Sequence, residues 1–230
     1  MGNIVDDIRA NEDTFADRPF NEVDSLALAQ LSYARMPVNV PRLDAEATDV
    51  DLAMVGVRDL LRAECYDDMF GKVWSPSMNV DLLRAMCESP RWRDLRVGGY
   101  VDEFDPETTK QFSACVFDVG DGSSYVAFRG TDSTIVGWKE DFAMAFRRPV
   151  AAQESAARYL ADIAGRRDGP LMVGGHSKGG NLAVYAAANA PAAVQERLIA
   201  VFCHDGPGFD ADFFDTPGYA RVAPLVDKSV

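Results

Sequence analysis

The feature that most constrains the fold is a serine set between two glycines, where an apolar run meets an alanine-rich run. Gly175, Ser177 and Gly179 form a Gly-x-Ser-x-Gly pattern. The apolar residues 171–173 precede it, and the alanine-rich residues 182–190 follow it. A side chain at either glycine would collide with neighbouring backbone in so tight a turn. The pattern therefore predicts a nucleophile elbow, a strand-to-helix turn that lifts Ser177 above the edge of a sheet.

The second half of the chain alternates between helix and strand patterns. The expected elements are a helix over 156–164, a strand over 170–173, a helix over 178–190 and a strand over 198–203. Before them, the apolar runs 112–119 and 125–128 flank a glycine-containing turn, which predicts an antiparallel hairpin. The alternation indicates a parallel sheet that helices cover on both faces, with the hairpin at its leading edge. The predicted fold class is a three-layer α/β core.

The first hundred residues have a different pattern. Residues 1–20 are polar and charged without an apolar period, which predicts a loose arm. Asn21 can cap a helix that stops before Pro37, and apolar helix patterns recur near 53–65 and 80–87. The expected division of the chain is an arm over 1–20, a helical extension over 21–100 and an α/β core over 101–230.

Composition and charge limit the classes of partner. The net charge of -13 is spread along 230 residues without a long acidic run, which argues against nucleic acid and against anionic lipid surfaces. The sequence has neither a signal-peptide pattern nor a stretch long and apolar enough to span a membrane. The four cysteines lack C-x-x-C spacing, which is typical of buried thiols in a reducing compartment. We therefore expect a cytoplasmic protein.

Two backbone N–H groups are candidates for an oxyanion hole. Ser177 precedes the amino end of a predicted helix, so the N–H of Lys178 should point toward an oxyanion formed when Ser177 attacks a carbonyl. A second donor should come from the glycine-containing loop after the hairpin, where Thr131 is the best candidate through its N–H and its hydroxyl. The alternative interpretation of residues 130–132 is a polar turn without a catalytic role.

Several segments together resemble a known group of enzymes. The segments 128–131, 138–142 and 175–180 resemble the pattern of class 3 lipases within the α/β-hydrolases. Residues 21–33 and 204–209 narrow the resemblance to a bacterial lipase-like family of unknown function that is often called Mbeg-like. The resemblance covers most of the chain after residue 20. It implies an α/β-hydrolase fold, and it carries the same two oxyanion donors onto Thr131 and Lys178.

Lys178 departs from the apolar residue that is common at this place in class 3 lipases. A cation in the first turn of a helix opposes the helix dipole and costs a few tenths of a kcal/mol unless an acid pairs with it. A solvated surface side chain is the simpler interpretation of Lys178. Attraction of an anionic substrate is the alternative.

A serine nucleophile needs a general base, and the sequence has only two histidines. His176 adjoins the serine, and neighbouring side chains diverge at an elbow, so we expect His176 to pack or hydrogen-bond. His204 ends a predicted strand and is the alternative base. In the Ser, acid, His order of this fold the histidine follows the last strands, and no histidine follows His204. Since the resembling family continues for further strands, we expect this chain to stop before the base.

The acid has two candidates. Asp205 follows the strand over 198–203 and precedes a glycine-rich turn, which makes it the first choice, with a simple turn-forming role as the alternative. Asp227 is the second choice because it lies near the position of the acid in class 3 lipases. Asp141 is expected to be structural and to pair with Arg129.

The favoured hypothesis is a carboxyl-ester hydrolase that forms an acyl-enzyme at Ser177 and is inactive or weak as this chain. The substrate would be a small-molecule or lipid-like ester, and no metal or organic cofactor is implied. The side chains at helical spacing after Thr131 would form either a lid over acyl chains or an ordinary packed helix. These side chains are Ile135, Trp138, Phe142 and Phe146.

The competing hypothesis is a catalytically silent hydrolase fold used for binding or assembly through its amino-terminal helices.

Overall fold

The computed structural model describes residues 2–44, 52–107, 109–131 and 149–230. The helices are α1 (Ile4–Ala10), α2 (Glu22–Leu31), α3 (Tyr66–Phe70), α4 (Pro76–Glu88), α5 (Ala151–Arg166), α6 (Lys178–Asn189), α7 (Ala192–Gln195), α8 (Ala211–Phe214) and α9 (Pro217–Val222). The strands are β1 (Met54–Gly56), β2 (Arg96–Asp105), β3 (Lys110–Asp118), β4 (Ser124–Phe128), β5 (Leu171–His176), β6 (Leu198–His204) and β7 (Val226–Ser229). Short 3-10 turns cover Val57–Leu60, Ala63–Cys65 and Ala223–Leu225.

The strands form one mixed sheet in the order β1-β2-β3-β4-β5-β6-β7. The first three neighbouring pairs are antiparallel, and the last three are parallel. The antiparallel pair of β3 and β4 confirms the predicted hairpin. The parallel pairs, with α5 and α6 between their strands, confirm the α/β class and are consistent with an α/β-hydrolase-like fold.

Two strands that were not predicted extend the sheet beyond the hairpin, so the hairpin is not its leading edge. Residues 53–65, which we expected to be helical, contain β1 and two 3-10 turns. β1 pairs with β2, and β2 crosses the expected boundary at residue 101. A Cβ atom on Gly98 would lie 2.3 Å from the Ala53 carbonyl oxygen, so only glycine fits where these strands approach. That glycine lowers the β-propensity of the segment, which hides the strand from sequence analysis.

Side chains alternate between the two faces of the sheet, and helices cover both faces. On β3, Cys115 and Phe117 belong to one hydrophobic core, whereas Ala114 and Val116 belong to the other. Residues of α1 to α4 complete the first core, and residues of α5, α6 and α9 complete the second. The result is the expected three-layer arrangement. The parallel strands end together at one edge of the sheet, which is where α/β proteins place their ligand sites.

The structure places a helix and buried side chains in the amino-terminal segment, where the sequence predicted a loose arm over residues 1–20. Asn3 forms a capping box at the start of α1, and Val5 and Ile8 are buried. Farther along, the Arg91 guanidinium donates hydrogen bonds to four backbone carbonyls between residues 13 and 19. A buried cation that binds main-chain oxygens orders this segment, and such a contact leaves no periodic pattern in the sequence.

Among the described residues, no helix has the length and apolar character that crossing a membrane requires. The four cysteines are free thiols; Cys115 and Cys203 are buried, and Cys65 and Cys87 are partly buried. Burial raises the pKa of Cys115 to about 12 and that of Cys87 to about 11, with Glu88 also contributing to the latter. These two thiols are therefore protonated and unreactive near neutral pH.

Candidate active site

Ser177 lies at a strained turn between β5 and α6. Its backbone has φ +54° and ψ -128°, which is a rare conformation for a residue with a side chain. The flanking glycines allow the turn because nothing larger fits. A Cβ atom on Gly175 would lie 2.5 Å from the Gly179 carbonyl carbon, and one on Gly179 would lie 2.1 Å from the Phe128 carbonyl oxygen. The local geometry is that of a nucleophile elbow.

The turn after β4 packs directly against this elbow. A Cβ atom on Gly130 would lie 2.6 Å from the His176 carbonyl oxygen, so the backbone of the turn touches the end of β5. Thr131 follows and is half-buried, and its Oγ1 has no hydrogen-bond partner among the described residues. Lys178 is the first residue of α6. The two segments expected to supply oxyanion donors are therefore in contact with each other.

The side chain of Lys178 is fully buried, so both sequence-based interpretations of it are wrong. It is neither solvated nor placed to attract an anion from solution. Its Nζ donates to the Gln111 carbonyl oxygen at 2.7 Å and to Gln111 Oε1 at 3.0 Å. Gln111 lies on β3 and is also buried. Sequence analysis could not see this contact because the two residues are 67 positions apart.

The two histidines lie side by side at the ends of β5 and β6. His204 is buried, and both of its ring nitrogens are engaged: Nε2 with Ser25 Oγ at 2.9 Å and Nδ1 with Ser229 Oγ at 2.8 Å. Its carbonyl oxygen accepts a hydrogen bond from the Ser177 N–H at 2.8 Å. His204 therefore supports the elbow through its backbone, while its ring is committed to other partners.

His176 Nδ1 contacts the Tyr33 hydroxyl at 2.9 Å, in line with the expected hydrogen-bonding role. Burial lowers the pKa of both histidines, and for His176 the nearby Asp205 carboxylate partly opposes the shift. Both rings are therefore neutral near pH 7. In the part of the chain that the structure describes, neither histidine is hydrogen-bonded to Ser177 Oγ.

The two candidate acids differ in their distance from the edge of the sheet. Asp205 directly follows the pair His176 and His204, so it lies at the same edge as Ser177. It is exposed, it has φ +48°, and its N–H donates to the Ser229 carbonyl oxygen at 2.8 Å. Asp227 lies inside β7 opposite Phe202, two residues before that edge. The sheet register therefore brings Asp205, and not Asp227, beside the elbow.

Other predicted residues lie elsewhere. Arg129, expected to pair with Asp141, is buried and forms an ion pair with the partly buried Asp102 at 2.6 Å. Asp141 falls outside the described residues, as do the four side chains of the expected lid. Among the described residues, no group of three or more His, Cys, Asp or Glu is arranged to hold a metal ion.

Sequence analysis missed a group of buried polar side chains that hold the elbow and its loops. Asn181 on α6 accepts from Gln153 Nε2 at 2.8 Å and donates to the Pro207 carbonyl oxygen at 3.1 Å. Ser25 on α2 joins His204 to the Tyr125 hydroxyl, which lies 2.8 Å from Ser25 Oγ. A polar residue within an apolar helical face was the available signal, but it does not identify a partner.

Comparison with known proteins gives one match. Searches of curated proteins and of solved structures find no match to this chain. The sequence model of a family described as Mbeg1-like matches residues 86–230, which is more than half of the chain. The matched region begins within α4 and contains β2 to β7 together with Thr131, Ser177 and Asp205. The chain belongs to the Mbeg1-like family.

Proposed function

We propose that this chain is a serine hydrolase of carboxyl esters, as in lipases and esterases, with Ser177 as its nucleophile. The observation that carries the proposal is the strained elbow, which holds Ser177 at the start of α6 and at the ligand-binding edge of the sheet. Ser177 Oγ attacks the carbonyl carbon of the ester, and the alcohol leaves with a proton. Water then attacks the acyl-enzyme, releases the carboxylic acid and regenerates the serine.

The negative charge that develops on the carbonyl oxygen needs donors that are already in place. In this proposal the N–H of Lys178 and the N–H of Thr131 provide them. The contact between Gly130 and the His176 carbonyl supports this assignment, because it holds the two backbone segments together. One such donor is worth about 10²–10³ in rate in other serine hydrolases.

The register of the sheet supports the choice of acid, and the hydrogen bonds of the two histidines bear on whether either acts as the base. Asp205 is the proposed acid because it is exposed beside the elbow and has a strained backbone. His204 is not the base, since both of its nitrogens are engaged. His176 is engaged through Nδ1 with the Tyr33 hydroxyl. We therefore propose that neither histidine takes the Ser177 proton and that Ser177 turns over slowly.

A second function is favoured by the same histidine arrangement. A hydrolase fold whose serine lacks a base can serve as a binding or assembly module. In that case the amino-terminal helices, which lie on one face of the sheet, would offer the contact surface. The two functions differ in the reactivity of Ser177.

A fluorophosphonate probe distinguishes the two functions because it reacts with an activated serine. We expect slow labelling that mass spectrometry maps to Ser177. The label should be lost in Ser177→Ala and retained in Ser77→Ala, which removes an exposed serine of α4. Absence of label on Ser177 after prolonged incubation of the folded protein would favour the binding module.

A further inference from the structure

We propose that the Lys178 side chain is a positioning residue that clamps the two oxyanion segments against each other. We call the side chain and its hydrogen bonds to Gln111 the Lys178 strap. The catalytic meaning of the strap rests on the function proposed above, whereas its structural role does not.

The strap spans two strand positions of the sheet. Lys178 follows β5, Gln111 lies on β3, and β4 lies between them. Ala114 of β3 is opposite Phe128, the last residue of β4, so Gln111 lies three residues beyond the end of that strand. The strap therefore reaches β3 at the same height along the sheet as the turn that follows β4. That turn carries Thr131.

The turn is confined on its other sides. Gly179 approaches the Phe128 carbonyl, and Gly130 approaches the His176 carbonyl, so the elbow packs closely against the turn at these two points. The N–H of Arg129 donates to the Ser113 carbonyl oxygen on β3 at 3.0 Å, which holds the start of the turn. The Lys178 ammonium adds a second link to β3 through Gln111. Lys178 is also the residue whose backbone N–H is the other proposed oxyanion donor.

The hydrogen bonds of the buried ammonium fix the direction of the Lys178 side chain. Nζ donates to the carbonyl oxygen and to the amide oxygen of Gln111, two acceptors on one residue of β3. An apolar side chain of similar length could fill the same volume, but packing alone does not set a direction. We infer that the lysine serves the geometry of the oxyanion hole.

The test compares Lys178→Met with wild type and with Lys228→Met, a matched control at an exposed lysine of β7. Ser177 labelling by the fluorophosphonate should be about 10- to 100-fold slower in Lys178→Met, because a misplaced donor loses most of its effect. Hydrolysis of p-nitrophenyl acetate should show the loss in kcat, with KM within about twofold. Lys228→Met should behave as wild type in both assays.

Hydrogen–deuterium exchange provides a readout that does not depend on activity. Amides in peptides covering residues 125–131 should exchange at least about tenfold faster in Lys178→Met, because the turn has lost its clamp. Peptides from β6 should be unchanged. If Lys178→Met does not fold, Gln111→Met removes one of the two acceptors and should give smaller changes in the same direction.

The outcomes separate this inference from the proposed function. If wild-type Ser177 takes no label, the hydrolase proposal fails, and the exchange comparison still decides whether the strap holds the turn. If Lys178→Met exchanges and labels as wild type does, Lys178 only fills space and the inference is wrong. If residues 125–131 of Lys178→Met exchange faster but Ser177 labels at the wild-type rate, the strap does not position the oxyanion donors. If Ser177 of Lys178→Met labels more slowly but these residues exchange at the wild-type rate, the strap does not clamp the turn.

Discussion

Replacement of Arg91 by methionine should cost this chain about 3–5 kcal/mol of unfolding free energy, the usual cost of removing one partner from a buried ion pair. Arg91 is 3% exposed, and its Nε donates to Asp24 Oδ1 at 2.9 Å. The guanidinium also donates to the carbonyl oxygens of Asp13 and Arg18, each at 2.9 Å, and lies 3.9 Å from the centre of the Phe15 ring. Methionine fills similar volume but leaves a buried carboxylate and several buried carbonyls without donors.

The assay for this prediction is urea unfolding followed by circular dichroism. With a slope of about 2–3 kcal/mol/M, Arg91→Met should lower the midpoint by about 1–2 M. Arg93→Met is the control, because its side chain is 52% exposed and lies 4.0 Å from Asp94, so its effect should stay within about 0.5 kcal/mol. A midpoint equal to that of wild type would refute the assignment of Arg91 as the anchor of the amino-terminal segment.

Three further predictions concern the elbow and the histidines. Gly179→Ala should destabilise the fold by about 1–3 kcal/mol in urea unfolding, because its Cβ would lie 2.1 Å from the Phe128 carbonyl oxygen. The control is Gly165→Ala on α5, which has open space around it and should be neutral or stabilising. Burial lowers the folded-state pKa of His204 below its unfolded value of 6.5, so the unfolded state binds more protons and stability should fall as the pH drops from about 7 toward 5. His204→Asn should flatten that pH dependence, and an unchanged slope would contradict it. His204→Ala should leave p-nitrophenyl ester hydrolysis per folded molecule unchanged, and loss of a robust activity would show that His204 is the base.

The elbow could be predicted from the sequence because its cause is local. Two glycines around a serine, with a strand pattern before and a helix pattern after, allow few other conformations. The hairpin and the alternation of helices and strands were predictable for the same reason. The conformation of Ser177 follows from residues within a few positions of it.

The features that could not be predicted depend on contacts between distant residues. The burial of Lys178 depends on Gln111, and the order of the amino-terminal segment depends on Arg91. A charged residue in a sequence gives no sign of whether a partner will bury it. The roles of His204 in binding Ser25 and Ser229 were hidden in the same way, because three separate elements meet only in the folded chain.

The reactivity of Ser177 is the central claim, and direct detection of its acyl-enzyme tests it. The measurement is mass spectrometry of tryptic peptides after incubation with p-nitrophenyl butyrate, performed on wild type, Ser177→Ala and His204→Ala. A butyryl group should appear slowly on Ser177 in wild type and in His204→Ala, and it should persist because, in this proposal, neither histidine activates the water for deacylation. No adduct on Ser177 in the folded protein, or an adduct that disappears in His204→Ala, would contradict this account.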